Sequence, residues 1–144
     1  MQFNLKTAQA YASDDILEEW IHAYLTTGEW ANPDFSDGLK LQKRWWVGPV
    51  EVSLEILTRC CGPEPEMAYR MNPVDWDRRV TKIADNLVDV TQLPPLIIEY
   101  QASTLRIADG NHRHEAIRRK GWSRCWVLIW YDDHKTWQAS PYHA

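Results

Sequence analysis

Five consecutive residues, Asp109-Gly110-Asn111-His112-Arg113, hold the densest potential chemistry in this 144-residue chain. The run Leu105–Ala108 before them alternates as a strand does, and His112–Lys120 after them reads as a helix that ends at Gly121. A strand that stops at a glycine and passes at once into a helix leaves the first-turn N–H groups unpaired, with the positive end of the helix dipole behind them. That is an oxyanion site in outline. Arg113 would add a planar donor fork suited to phosphate, and His112 a further donor. Asp109, at the rim, could hold a divalent cation bridging phosphates or orient the histidine. The plainer alternative is a helix-capping turn with a surface His-Arg pair.

The elements that must position this loop are legible in outline. Ser13 followed by Asp14 and Asp15 marks a helix start, with Ile16, Leu17, Trp20, Ile21, Tyr24 and Leu25 at helical spacing and Gly28 as the stop. Asn32-Pro33 and Ser36-Asp37-Gly38 read as turns. From Val50 the period changes to two through Val52, Leu54 and Ile56, as in a half-buried strand. Asp75–Asp89 places Trp76, Val80, Ile83, Ala84 and Leu87 on one helical face. Leu96–Tyr100 and Leu105–Ala108 form a hairpin across a short polar link, and Arg124–Tyr131 is a last apolar strand. The expected architecture is a single α+β domain over residues 1–144: a small mixed β-sheet covered by helices. Within it, residues 1–44 form a helical N-terminal extension and residues 45–144 the core.

Composition narrows the function classes. Hydrophobic residues make up 44% and charged residues 25%, a globular balance that excludes disordered and low-complexity chains. The longest apolar run, Cys125–Tyr131, falls far short of a membrane span, and no signal peptide opens the chain, so a soluble, cytoplasmic protein is expected. The three cysteines, with Cys60 and Cys61 adjacent, suggest neither a disulfide framework nor a structural zinc site. Net charge is −4 but uneven: residues 1–77 carry six Lys/Arg against thirteen Asp/Glu, and residues 78–144 ten against seven. A local positive focus on an acidic chain fits a small anionic ligand better than a long polyanion.

The stretch Pro94–Trp130, with Gly110-Asn111-His112-Arg113 followed by Glu115-Ala116, resembles the ParB/sulfiredoxin superfamily. The resemblance implies a loop that holds nucleotide phosphates, and the Asp-Gly-x-His-Arg form is most like that of the free-serine kinases. Sulfiredoxins carry their catalytic cysteine where this chain has Asn111, so the sulfinic-acid chemistry of those enzymes is not expected. ParB partition proteins continue into a helix-turn-helix domain, for which about twenty residues past the motif helix leave no space. The kinase-like resemblance implies transfer of a phosphoryl group from ATP or another nucleotide, with Mg²⁺, to a small hydroxylated substrate. Gly110, Asn111, His112 and Arg113 would hold phosphate, His112 would also stabilise the transferred group, and Asp109 would orient the acceptor or bind the metal. Glu64 and Glu66, in the loop after the first strand, are the candidates by position for a catalytic base. The rival expectation is a nucleotide-responsive module without catalysis that binds a protein or nucleic-acid partner. A nuclease would need clustered carboxylates, which the sequence lacks.

Overall fold

The computed structural model describes residues 1–143. Three helices open the chain: α1 (Leu5–Ser13), α2 (Leu17–Thr26) and α3 (Pro33–Leu39). Strand β1 (Trp45–Ser53) follows, then a 3-10 turn at Leu54–Ile56 and three two-residue strands: β2 (Leu57–Thr58), β3 (Cys61–Gly62) and β4 (Tyr69–Arg70). Helix α4 (Pro73–Asn86) leads to the hairpin β5 (Leu96–Gln101) and β6 (Thr104–Asp109). Helix α5 (Asn111–Arg119), strand β7 (Arg124–Tyr131) and the short α6 (His134–Gln138) complete the order.

Five strands form one mixed sheet in the order β1-β7-β5-β6-β2, while β3 and β4 pair separately. β7 runs antiparallel to β1 and parallel to β5, and β5 antiparallel to β6. Because strand side chains alternate, the central strands feed two different cores. Ile97, Leu128 and Trp130 point to one face and meet Ala8, Trp20, Ile21, Tyr24, Leu25 and Leu39 of the first three helices. Leu96, Ile98, Val127, Ile129 and Tyr131 point to the other, against Leu54, Leu57, Leu87 and Ile117. A third cluster joins α4 to α5, where Trp76, Val80 and Ala84, one turn apart, close on Ala116. This last contact sets α4 alongside the start of α5.

The α+β architecture with a small mixed sheet is the one expected, and the hairpin, α5 and β7 lie where the periodicity places them. Four local assignments need correction. Ser13 ends α1 rather than starting a helix, and α2 begins at Leu17 after Asp15 takes a positive φ of 61°. The segment expected as turns is α3: the Asn32 side chain accepts from Phe35 N–H, and Pro33 sits at the first helical position, where its missing donor is not needed. The alternation beginning at Val50 belongs to a strand that starts at Trp45 and ends at Ser53; Leu54 and Ile56 lie in the 3-10 turn. Asn72 caps α4, which accordingly starts at Pro73 rather than Asp75 and ends at Asn86. None of the described helices is long and apolar enough to cross a membrane.

Candidate functional site

Gly110 turns β6 into α5 with φ +114°, a conformation that disfavours any residue with a Cβ. An added Cβ would also lie 2.7 Å from Leu96 Cγ, so space and dihedral agree on glycine. The N-terminus of α5 receives no side-chain cap, and the first return bond is from His114 N–H to Gly110 C=O, at 2.9 Å. The first-turn amides therefore stand without a capping acceptor. A residue such as Ser or Asp at the cap position would have occupied them.

The Asn111 side chain points inward, away from that end. Its Oδ1 accepts from Cys60 N–H at 2.9 Å and Cys61 N–H at 3.2 Å, and its Nδ2 donates to Ile107 C=O at 3.3 Å. It stitches the chain between β2 and β3 to the start of α5, leaving only its backbone amide for the loop. The two cysteines flank this stitch. Cys60 is buried with its thiol on Ile107 C=O, and Cys61 is half-buried with its thiol held above the usual range, chiefly by burial.

Arg113 departs from expectation most. Its side chain is 1% exposed, and the guanidinium that was to reach phosphate is turned into the protein. Nη1 donates to Pro94 C=O at 2.7 Å; Nη2 donates to the Tyr24 hydroxyl at 2.7 Å and to Asp109 Oδ2 at 2.6 Å. The plane lies 5.6 Å from the Tyr24 ring centroid and 4.9 Å from that of Trp30. Burial holds the Tyr24 hydroxyl in its protonated form, and it donates to Asp109 Oδ2 at 2.6 Å. One carboxylate oxygen of Asp109 thus receives two strong donors. Its other oxygen is the one left for a ligand.

His112 packs on Trp76, with ring centroids 4.5 Å apart, and its Nε2 is buried without a hydrogen-bond partner. Burial first, then the positive charges of Arg79, Arg113 and Arg59, lower its pKa to about 4. The imidazole is accordingly neutral at neutral pH. An unpartnered polar atom in such a place is costly unless something else satisfies it.

Asp109 and His112 stand between two cavities and line both. The first, about 760 Å³, is walled by Glu29–Asn32 on one side and by Arg79, Lys82 and Asn86 of α4 on another. Arg79 and Lys82 form no ion pair among the described residues, in contrast to Arg78, which is paired with Asp75. The second, about 660 Å³, adds Cys60, Cys61, Tyr69, Gly110, Asn111 and the Glu99–Arg106 pair, whose charged atoms are 3.5 Å apart. A cavity of about 630 Å³ beside His22, Lys40 and Trp46 contains none of the loop residues.

The structure does not bring Glu64 or Glu66 to this junction. Glu64 accepts from Arg59 at 2.5 Å, which helps hold its carboxyl below the usual range against the opposing effect of burial. Arg59 in turn lies over Trp76, so Glu64 is two side chains removed from His112. Glu66 is exposed and lines neither cavity. His114, next but one to His112, bonds Leu54 C=O at 3.1 Å and serves the core. Among the described residues no group of three His, Cys, Asp or Glu side chains could hold a metal ion. Lys82, Trp30 and Tyr24 were not among the sequence candidates, since no local motif marks them.

No protein-family model and no curated protein matches the chain. Several solved structures are similar to it. Sulfiredoxin from Arabidopsis thaliana is 23% identical with a TM-score of 0.44, over 62% of this chain and 91% of that one. The C-terminally truncated chromosome-partitioning protein ParB from Caulobacter crescentus, complexed with CTP-γ-S, is 24% identical with a TM-score of 0.36, over 55% of this chain and 41% of that one. A variant of free serine kinase in complex with AMP is 12% identical with a TM-score of 0.39, over 58% of this chain and 32% of the kinase. These likenesses concern fold alone, and most of the ParB and kinase chains lies outside the matched stretch.

Proposed function

We propose that the α5 N-terminus and the cavity beside α4 bind the phosphates of a nucleotide, and that the protein transfers a phosphoryl group from it to a small hydroxylated molecule. The observation that carries this reading is the pair of cavities meeting at Asp109 and His112. Phosphoryl transfer needs two reactants aligned in line, with charge neutralised around the moving group and little covalent chemistry from the protein. In this reading the first-turn amides of Asn111 and His112, with Gly110, cradle the phosphates, and Arg79 and Lys82 balance their charge. In the same reading the nucleotide supplies the polar partner that the Nε2 of neutral His112 lacks. The acceptor enters from the side of Arg106 and Glu99.

As the acceptor oxygen bonds to phosphorus, the bond from phosphorus to the bridging oxygen breaks, and the acceptor proton passes to the free oxygen of Asp109. Mg²⁺, which keeps several waters and prefers phosphate oxygens, would be held chiefly by the phosphates themselves, because the free Asp109 oxygen is the one that takes the acceptor proton. It would supply positive charge to offset that of the phosphates. Arg113 serves here by holding Asp109 rather than by touching phosphate.

The rival reading, a nucleotide-responsive module without catalysis, is favoured by one observation: Glu64 is tied to Arg59, leaving Asp109 as the one carboxylate common to both cavities. Turnover separates the two. With MgATP and a mixture of small alcohols, sugars and hydroxy acids, the wild-type protein is expected to release ADP only when an acceptor is present, and Asp109→Asn to bind ATP without turnover. Saturable binding with no phosphorylated product from any acceptor would leave the non-catalytic reading.

A further inference from the structure

We propose that Tyr24 is a positioning residue of the nucleotide site, so that the helices preceding β1 complete the site as well as cover the sheet. The inference rests on the function proposed above and adds a residue that has no place in the Gly110–Arg113 motif.

The Tyr24 ring is fully buried between helix and sheet, stacked on Trp20 with centroids 5.1 Å apart, and this packing fixes where its hydroxyl can lie. That hydroxyl is both donor and acceptor at one junction: it donates to Asp109 Oδ2 at 2.6 Å and accepts from Arg113 Nη2 at 2.7 Å. The three groups form a closed triangle, since Arg113 also bonds Asp109 Oδ2. A closed, buried set of charge-assisted bonds has one low-energy arrangement. It rotates the Asp109 carboxylate so that Oδ2 is used inward and the other oxygen is presented to the cavities. Trp30, from the same part of the chain, covers the outer face of the Arg113 guanidinium and lines the cavity beside Arg79. Without the Tyr24 hydroxyl, Asp109 loses its neutral donor and Arg113 one acceptor, and the carboxylate gains rotational freedom at the edge where the ligand sits.

The test compares wild type with Tyr24→Phe, which keeps the packed ring and removes the hydroxyl. Two readouts are taken at 20 °C, where a denaturation curve shows both proteins folded: affinity for MgATP by calorimetry, and the NMR signals of the Arg113 guanidinium. In the wild type the Arg113 Nη groups are held by separate acceptors and are expected to give distinct, slowly exchanging signals. Tyr24→Phe is expected to merge or broaden them and to weaken MgATP at least tenfold. A purely structural tyrosine would lower the melting temperature and leave MgATP affinity unchanged, whatever happens to the guanidinium signals, and that result overturns the proposal. Should the wild type fail to bind MgATP, the nucleotide reading falls on that measurement. The guanidinium signals then still decide whether Tyr24 orders the Asp109–Arg113 pair: altered signals uphold its positioning role, and unaltered signals remove it.

Discussion

Arg113→Ala is expected to cost about 3–5 kcal/mol of folding stability, the usual result of breaking a buried ion pair by deleting one partner. The side chain is 1% exposed and its donors meet a carboxylate, a hydroxyl and the Pro94 carbonyl. Deletion strands the Pro94 carbonyl and the Tyr24 oxygen without their donor and opens a void between Tyr24 and Trp30. Domains of this size are stable by about 5–15 kcal/mol, so the loss is a large fraction of the total. In urea the midpoint should fall steeply with the slope unchanged. Arg113→Lys should recover only part of the loss, because a single ammonium cannot reproduce the planar fork. A variant as stable as wild type would mean that the guanidinium is not committed to these partners.

Gly110→Ala is expected to rank next, at about 3 kcal/mol. Two independent costs combine: an L-residue forced to φ +114°, typically 1–3 kcal/mol, and a methyl driven into a packed wall, of similar size. The new Cβ would sit 2.7 Å from Leu96 Cγ and 3.1 Å from Arg113 Nη2, so the crowding falls on the guanidinium that orders Asp109. Gly121 is the internal control. It also has a positive φ, +79°, but nothing lies within 4 Å of its would-be Cβ. Gly121→Ala should therefore cost only the conformational part, about 1 kcal/mol. Thermal denaturation of the two variants side by side checks the contrast. Equal losses would show that space around Gly110 is not limiting.

What the sequence disclosed and what it withheld follow from the range of the interactions. β7 and the β5–β6 hairpin were legible because their alternation is local, and α5 because Gly110 and Gly121 bracket it. α1 was missed and α3 mistaken for turns because Ser, Asp and Asn-Pro serve helix starts and turns alike, and the tertiary packing of Leu5, Ala8 and Leu39 decided between them. At the site, the loop itself was legible as a strand–glycine–helix junction. The inward turn of Arg113 was not. Its partner Tyr24 lies 89 positions away and Pro94 nineteen, and no local spacing encodes such contacts. Asn111 was read as part of a phosphate loop, while its side chain is spent on Cys60 and Cys61, fifty-one and fifty positions back. Glu64 was assigned by its place after the first strand, and the neighbouring Arg59 claims it instead.

The most direct measurement of phosphate binding at the head of α5 is a titration of ¹⁵N-labelled protein with MgATP, followed at the backbone amides. The largest saturable shifts are expected at Asn111 and His112, accompanied by the signals of Arg79 and Lys82 across the cavity, and reduced when those two cations are replaced by alanine. Amides of Asn111 and His112 that stay fixed through saturation, or shifts confined to the cavity beside His22 and Lys40, would contradict the placement of the nucleotide at this junction.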